Sequence, residues 1–265
     1  MGIPAYYGYL IKNYKKIIIQ IKKMNNRSDN FYLDSNSIIY NCLIEEKFSK
    51  LFVDKLIKKI CLQIDKYIKE VNPTKLVYIS FDGVAPFAKL KQQKERRFKS
   101  KIIAELINDM VGDANNEKED TFDRTSITPG TYFMNELNKK VKEYFTGREK
   151  AYNVKKIIVS GSDERGEGEH KIFDYIRNNK DISDSHIIYG LDADLIILCL
   201  NHMYITKKIF LFRETPEFIK NLSPDMDPGD LYVMKIEELM YYVLMKMFGK
   251  DMRNDKNGVK CIKDY

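Results

Sequence analysis

Six carboxylates in this 265-residue chain stand close behind short apolar runs, where an acid is costly to place. Asp34 closes Phe31-Tyr32-Leu33, and Asp82 closes Leu76–Phe81. Glu167 and Glu169 follow Ile157–Val159 after a short turn, and Asp192 and Asp194 follow Ile187-Ile188-Tyr189. Any one of them reads as a turn or cap residue, because Asp and Glu suit turns and helix starts. Four apolar runs in succession that finish in acid need another reason. Like charges brought together repel unless they are protonated or neutralised by a cation. Oxygen donors with no His or Cys cluster beside them point to magnesium, with manganese able to substitute. Two such ions, roughly 3.5–4 Å apart, would serve phosphodiester hydrolysis by activating a water and stabilising the leaving oxygen.

The run Gly166-Glu167-Gly168-Glu169-His170-Lys171 is the densest part of this set. Its glycines allow the backbone to turn both glutamates toward a common site. Lys171 reads as a cation that offsets the acids or touches a scissile phosphate, and His170 reads as structural.

A second cluster is cationic. Between Lys89 and Lys101 there are seven Lys or Arg residues. As a helix this stretch could be no more than a solvated face. At about 100° per residue, however, Lys89, Gln93, Arg96 and Arg97 fall within roughly a 100° arc and could converge on one anion. Arginine forks beside an acidic metal site make a phosphate clamp, with Lys91, Lys94, Lys99 and Lys101 tracking backbone phosphates less specifically.

The elements that must position these residues alternate along the chain. Strands are predicted at Phe31–Leu33, Leu76–Phe81, Ile157–Val159, Ile187–Tyr189 and Ile209–Phe212. Helices are predicted over Ser37 to about Phe52, Val53–Glu70, Ala88–Asn108, Thr131–Phe145, Gly168–Asn179 and Lys235–Phe248. Gly112–Ser126 and Arg213–Asp230 read as irregular. The expected fold class is α/β: one domain over residues 1–265, with a mostly parallel central sheet and helices on both faces. In such sheets ligands bind outside the carboxyl ends of the strands, which is where the acids would gather.

Composition sets the outer bounds. With 44% hydrophobic and 31% charged residues the chain is globular, and a wholly disordered chain is excluded. The 45 Lys and Arg against 38 Asp and Glu give a formal charge of +7, which favours a polyanionic partner. Cys42, Cys61, Cys199 and Cys261 form no CxxC pair, which fits a reducing compartment, and the three histidines lack zinc-ligand spacing. No apolar run approaches membrane-spanning length, so a membrane partner is not expected. Cytoplasm is slightly preferred over nucleus.

NFYLDSNSIIYNC, FDGVAPFAKLKQQKERRF, ITPGTYFMNEL, GEGEHKIFDYIR and YGLDADLIIL occur in this order. Together they closely resemble the amino-terminal conserved region of the Xrn-type 5′→3′ exoribonucleases, over nearly the whole chain. The resemblance implies a flap-endonuclease-like or PIN-like nuclease core, two magnesium ions and hydrolysis of 5′-monophosphorylated single-stranded RNA to mononucleotides. It assigns Asp34, Asp82, Glu167, Glu169, Asp192 and Asp194 to the metals. It assigns Lys89, Gln93, Arg96 and Arg97 to the 5′-phosphate, the set that helical spacing also selects. Tyr40 stands where the family usually has a histidine that stacks on the first base, and an aromatic ring can do the same. Ser37, Phe87 and Arg165 replace a usual glycine, arginine and proline. The chain stops at KCIKDY, where the family continues into a segment with another metal-site aspartate and then a second conserved region. Two other readings are a non-catalytic RNA 5′-end-binding module and a structure-specific flap nuclease acting on DNA.

Overall fold

The computed structural model describes residues 6–24, 26–43, 50–87, 122–179, 183–214 and 230–249, with single positions between 89 and 106 and at 226, 227, 251 and 253. Its centre is a seven-stranded sheet in the order β1-β7-β6-β5-β2-β3-β4. The strands are β1 (Ile18–Gln20), β2 (Asn30–Asp34), β3 (Leu76–Ser80), β4 (Lys156–Ser160), β5 (His186–Tyr189), β6 (Ile209–Arg213) and β7 (Tyr232–Lys235). β4, β3, β2, β5 and β6 run parallel, whereas β7 is antiparallel to β6 and β1 to β7. The α/β expectation with a mostly parallel sheet therefore holds.

Helices α1 (Tyr6–Asn13), α2 (Asn36–Cys42), α3 (Lys50–Val71), α4 (Tyr132–Phe145), α5 (Glu149–Tyr152), α6 (Gly168–Asn178), α7 (Asp194–Asn201) and α8 (Ile236–Phe248) connect or cover the strands. Side chains alternate across a pleated strand, so each strand feeds two cores. Phe31, Leu33, Val77, Ile79, Ile187, Tyr189 and Phe212 face the layer containing Leu56, Ile60 and Ile64 of α3 and Phe133 and Leu137 of α4. Tyr32, Tyr78, Ile188 and Leu211 face the other layer, with Leu10 of α1, Ile172 and Phe173 of α6, Leu195 of α7 and Leu239 of α8. Because both faces are covered, the central strands read as continuous apolar runs.

Several boundaries differ from the sequence expectation. α2 ends at Cys42 and Leu43 is extended, with ψ 131°, so the helix does not run on to Phe52. There is no break at Phe52–Val53 either: Phe52, Val53, Leu56, Ile57 and Ile60 continue one buried stripe along α3. β1 and β7 were not anticipated. They are three and four residues long and pair with each other from opposite ends of the chain, which local pattern does not register. The apolar run after Asp194, left unassigned from sequence, forms α7. The described positions between 87 and 106 are helical, in line with the basic helix, whereas 107–121 and 215–225 lie outside the described residues. Thr131, which the sequence places inside the helix, is the N-cap of α4, its side chain accepting a hydrogen bond from the Met134 amide at 3.3 Å. Cys42, Cys61 and Cys199 are free and buried, and no described helix is long and apolar enough to cross a membrane.

Candidate metal centre

The four strands that finish in acid are neighbours, β5-β2-β3-β4, and all four are parallel. Their carboxyl ends therefore share one edge. The chain winds outward from β2 through β3 to β4, then returns to lay β5 on the other side of β2. The strand order thus reverses at β2, and Asp34 sits at that switch point.

Asp34 is the last residue of β2, and its Oδ1 is buried with no hydrogen-bond partner. Burial, followed by the charges of Asp82, Glu169 and Asp192, pushes its carboxyl well above the ordinary carboxylate range. A Cβ on Gly168 would lie 2.5 Å from that same Oδ1 and 3.4 Å from Oδ1 of Asp82. Only glycine lets the start of α6 come this close to the carboxylates. Gly166 serves a different need, with φ of +98°, a turn that favours glycine.

Asp82 is tied down from both sides. Its Oδ1 accepts the Gly168 amide at 2.7 Å, and its Oδ2 accepts Asn36 Nδ2 at 2.6 Å. Asn36 also accepts the Asp82 amide at 3.1 Å. Burial raises the Asp82 pKa, against the Gly168 hydrogen bond, which lowers it. The loop after β3 is laced to the loop after β4 by two backbone bonds, Gly83 N–H to Gly166 O at 2.8 Å and Gly166 N–H to Val84 O at 3.1 Å.

Glu167 precedes α6 and is buried, while Glu169 lies in the first turn. Ligand atoms of Glu167, Glu169 and His170 all lie within 4.8 Å of one another. His170 Nε2 is 3.7 Å from Glu167 and 4.0 Å from Glu169, although its side chain is exposed. Burial pushes Glu169 up to about 7; Lys89 opposes this, and Glu167, Asp192 and Asp194 reinforce it. Asp192 follows β5 and is exposed, and Asp194 opens α7. All six predicted acids are thus brought to one edge. The donor set is oxygen-rich, one carboxylate oxygen is buried without a partner, and three acids are held toward the protonated form. These features fit a divalent cation better than a self-contained hydrogen-bond network.

The cations divide. Lys89 Nζ donates to Glu167 Oε2. Burial alone would lower its pKa, but Glu167, with Glu169 and Asp82, takes it above the ordinary value. Lys171 is buried, and its ammonium donates to the Phe81 carbonyl at 2.9 Å and the Gly161 carbonyl at 2.7 Å, joining the ends of β3 and β4. Burial lowers its pKa, with Glu164 and Asp82 acting in the opposite direction. Gln93, Arg96 and Arg97 lie outside the described residues. Tyr40 stands exposed on α2.

Sequence reasoning missed Asn36, Arg213 and Glu214. Glu214 follows the fifth apolar run as the other acids follow theirs, so the same criterion applied to Ile209–Phe212 finds it. It accepts hydrogen bonds from Tyr67, from Tyr189 at 2.9 Å and from Asn41 at 2.6 Å, so it is already engaged by the protein.

A doubly wound sheet with this carboxylate edge defines a PIN-like nuclease core. Residues 1–215 match the family model described as the XRN 5′-3′ exonuclease N-terminus, and the chain belongs to this family of exoribonucleases. It is 33% identical to 5′-3′ exoribonuclease 1 of Saccharomyces cerevisiae over 283 aligned residues, which takes in 100% of this chain and 18% of that protein. Identity to human 5′-3′ exoribonuclease 1 is 35%, covering 76% of this chain and 12% of the relative. Identity to the 5′-3′ exoribonuclease 2 homolog of Drosophila melanogaster is 34%, covering 76% and 27%. The chain therefore spans no more than 27% of the length of these relatives.

Proposed function

We propose that this chain is the metal-binding part of a 5′→3′ exoribonuclease that takes RNA with a 5′-monophosphate and releases mononucleotides. The observation that carries this reading is Asp34: a buried carboxylate oxygen without a partner, at the switch point of the sheet, among acids whose pKa values are raised. Asp34, Asp82, Glu167, Glu169, Asp192 and Asp194 would hold two magnesium ions, or manganese in their place. When bound, such ions supply an activated water and a counter-charge for the leaving oxygen.

The remaining work falls to the chain's own residues. Asn36 and the Gly168 amide fix the orientation of Asp82. Lys171 keeps a positive charge beneath the acids while holding two strand ends at their present spacing. Lys89, paired with Glu167, begins the basic helix from which Gln93, Arg96 and Arg97 follow at helical spacing to take the 5′-phosphate. Tyr40 is free to stack on the first base. A clamp sized for one phosphate would exclude capped and triphosphorylated ends.

The test is a comparison of two RNAs that differ only at the 5′ end. Magnesium-dependent release of mononucleotides should be at least tenfold faster from the 5′-monophosphate than from the 5′-hydroxyl, and Asp192→Ala should abolish both. Equal rates on the two ends would remove the clamp. Binding without release would favour a non-catalytic 5′-end binder, and faster cutting of branched DNA would favour a flap nuclease.

A further inference from the structure

The candidate metal centre does not use Arg213, the last residue of β6 and one strand away from the acid-bearing set. Its guanidinium is enclosed. One nitrogen, Nη2, donates to the Leu191 carbonyl; the other, Nη1, is buried and has no hydrogen-bond partner. Cζ lies 4.3 Å from the centre of the Tyr7 ring, so α1 covers the plane of the group. Burial pulls the Arg213 pKa below its ordinary value, while Tyr7, Asp192 and Tyr189 act in the other direction.

A buried arginine with an unsatisfied donor costs stability, a cost that calls for an explanation at the position where it lies. The carbonyl that it holds belongs to the residue directly before Asp192. Among the described residues, that segment, Gly190 to Ala193, is otherwise anchored at its two ends: the Gly190 amide donates to the Phe212 carbonyl at 3.2 Å, and the Ala193 carbonyl accepts the Ile196 amide at 3.1 Å as α7 starts at Asp194. The geometry of the strand separates this task from that of the next residue. Consecutive side chains point to opposite faces, so Arg213 meets Tyr7 in one layer and Glu214 meets Tyr67 and Asn41 in the other.

We propose that Arg213 is a positioning residue for the metal centre: through the Leu191 carbonyl and its fixed charge it sets Asp192 where the cluster needs it. The inference rests on the metal reading above and deepens it. A charge acting only at a distance predicts the opposite effect, since removing a cation near an acidic site would strengthen cation binding.

Manganese binding, followed by loss of the free-ion electron paramagnetic resonance signal, separates the alternatives without RNA or turnover. Arg213→Met should bind Mn2+ at least fivefold more weakly than the unaltered chain, and Arg213→Lys should fall between them. Lysine keeps the charge but cannot both stack on Tyr7 and reach the carbonyl with a planar fork. Binding by Arg213→Met as tight as in the unaltered chain, or tighter, with an unchanged circular dichroism spectrum, would overturn the proposal. Should Arg213→Met fail to fold, Arg213→Lys decides: at least twofold weaker binding supports the positioning role and unchanged affinity overturns it. An unaltered chain that binds no Mn2+ would instead defeat the metal reading itself, and the positioning role with it.

Discussion

At the scale of single residues, the site is defined by how little freedom its acids have. Asp82 is held by Asn36 and the Gly168 amide, Glu167 by Lys89, and Asp34 by the Asn36 backbone amide, with its Oδ1 enclosed and unpartnered. Gly168→Ala would push a methyl group to about 2.5 Å from Asp34 Oδ1, so the carboxylate or α6 must shift. Mn2+ affinity should fall at least tenfold while circular dichroism is retained; unchanged affinity would mean that the close approach is not needed. Titration gives a second prediction. Asp34, Asp82 and Glu169 have pKa values raised by burial, Glu169 to about 7. In the metal-free protein these groups hold protons that the unfolded chain has already released, so their contribution to stability is greatest below the unfolded carboxylate range and is lost as pH rises through about 7. The metal-free Tm should therefore drop between pH 5 and pH 8, and added Mg2+ should raise Tm more at pH 8 than at pH 5. A metal-free Tm that rises over this window would contradict the electrostatic account.

At the scale of elements, the sheet order does the gathering. Four parallel neighbours deliver their carboxyl ends to one edge, and Lys171 fastens two of those ends to each other. Lys171→Met keeps much of the side-chain volume but leaves the Phe81 and Gly161 carbonyls without this donor. The Gly161 carbonyl still accepts the Glu164 amide at 3.2 Å, so one buried carbonyl is left unsatisfied and the change should cost about 1–3 kcal/mol in urea denaturation. Glu214 plays the corresponding part between α2, α3 and β5, and Glu214→Ala would remove the acceptor that Asn41, Tyr67 and Tyr189 share. The acid-bearing strands were legible in the sequence because buried parallel strands are unbroken apolar runs, and Asp34 and Asp82 mark their ends. β1 and β7 were not, because strands of three and four residues joined across the length of the chain leave no periodic signal. Asn36 was equally hidden. Its role depends on Asp82, which only the β2–β3 pairing brings within hydrogen-bond range. Lys171 was legible as a cation among acids, but its hold on two carbonyls follows from packing and not from spacing.

At the scale of the whole molecule, a chain of net charge +7 encloses an acidic edge. That combination suits a polyanion drawn in by the surface and met by cations at the site. If the basic surface engages RNA phosphates, log affinity should fall linearly with log salt, at roughly 0.7 per phosphate contacted on a single strand. A fluorescence titration across salt concentrations checks this, and a flat dependence would detach the net charge from RNA binding. The central claim, that the carboxylate edge cuts RNA one nucleotide at a time from the 5′ end, is tested most directly by product analysis. Uniformly labelled 5′-monophosphate RNA should yield mononucleotides from the earliest time points, only with Mg2+ or Mn2+, and none with Asp34→Asn. Internal fragments as early products, or mononucleotide release undiminished in metal chelator, would contradict it.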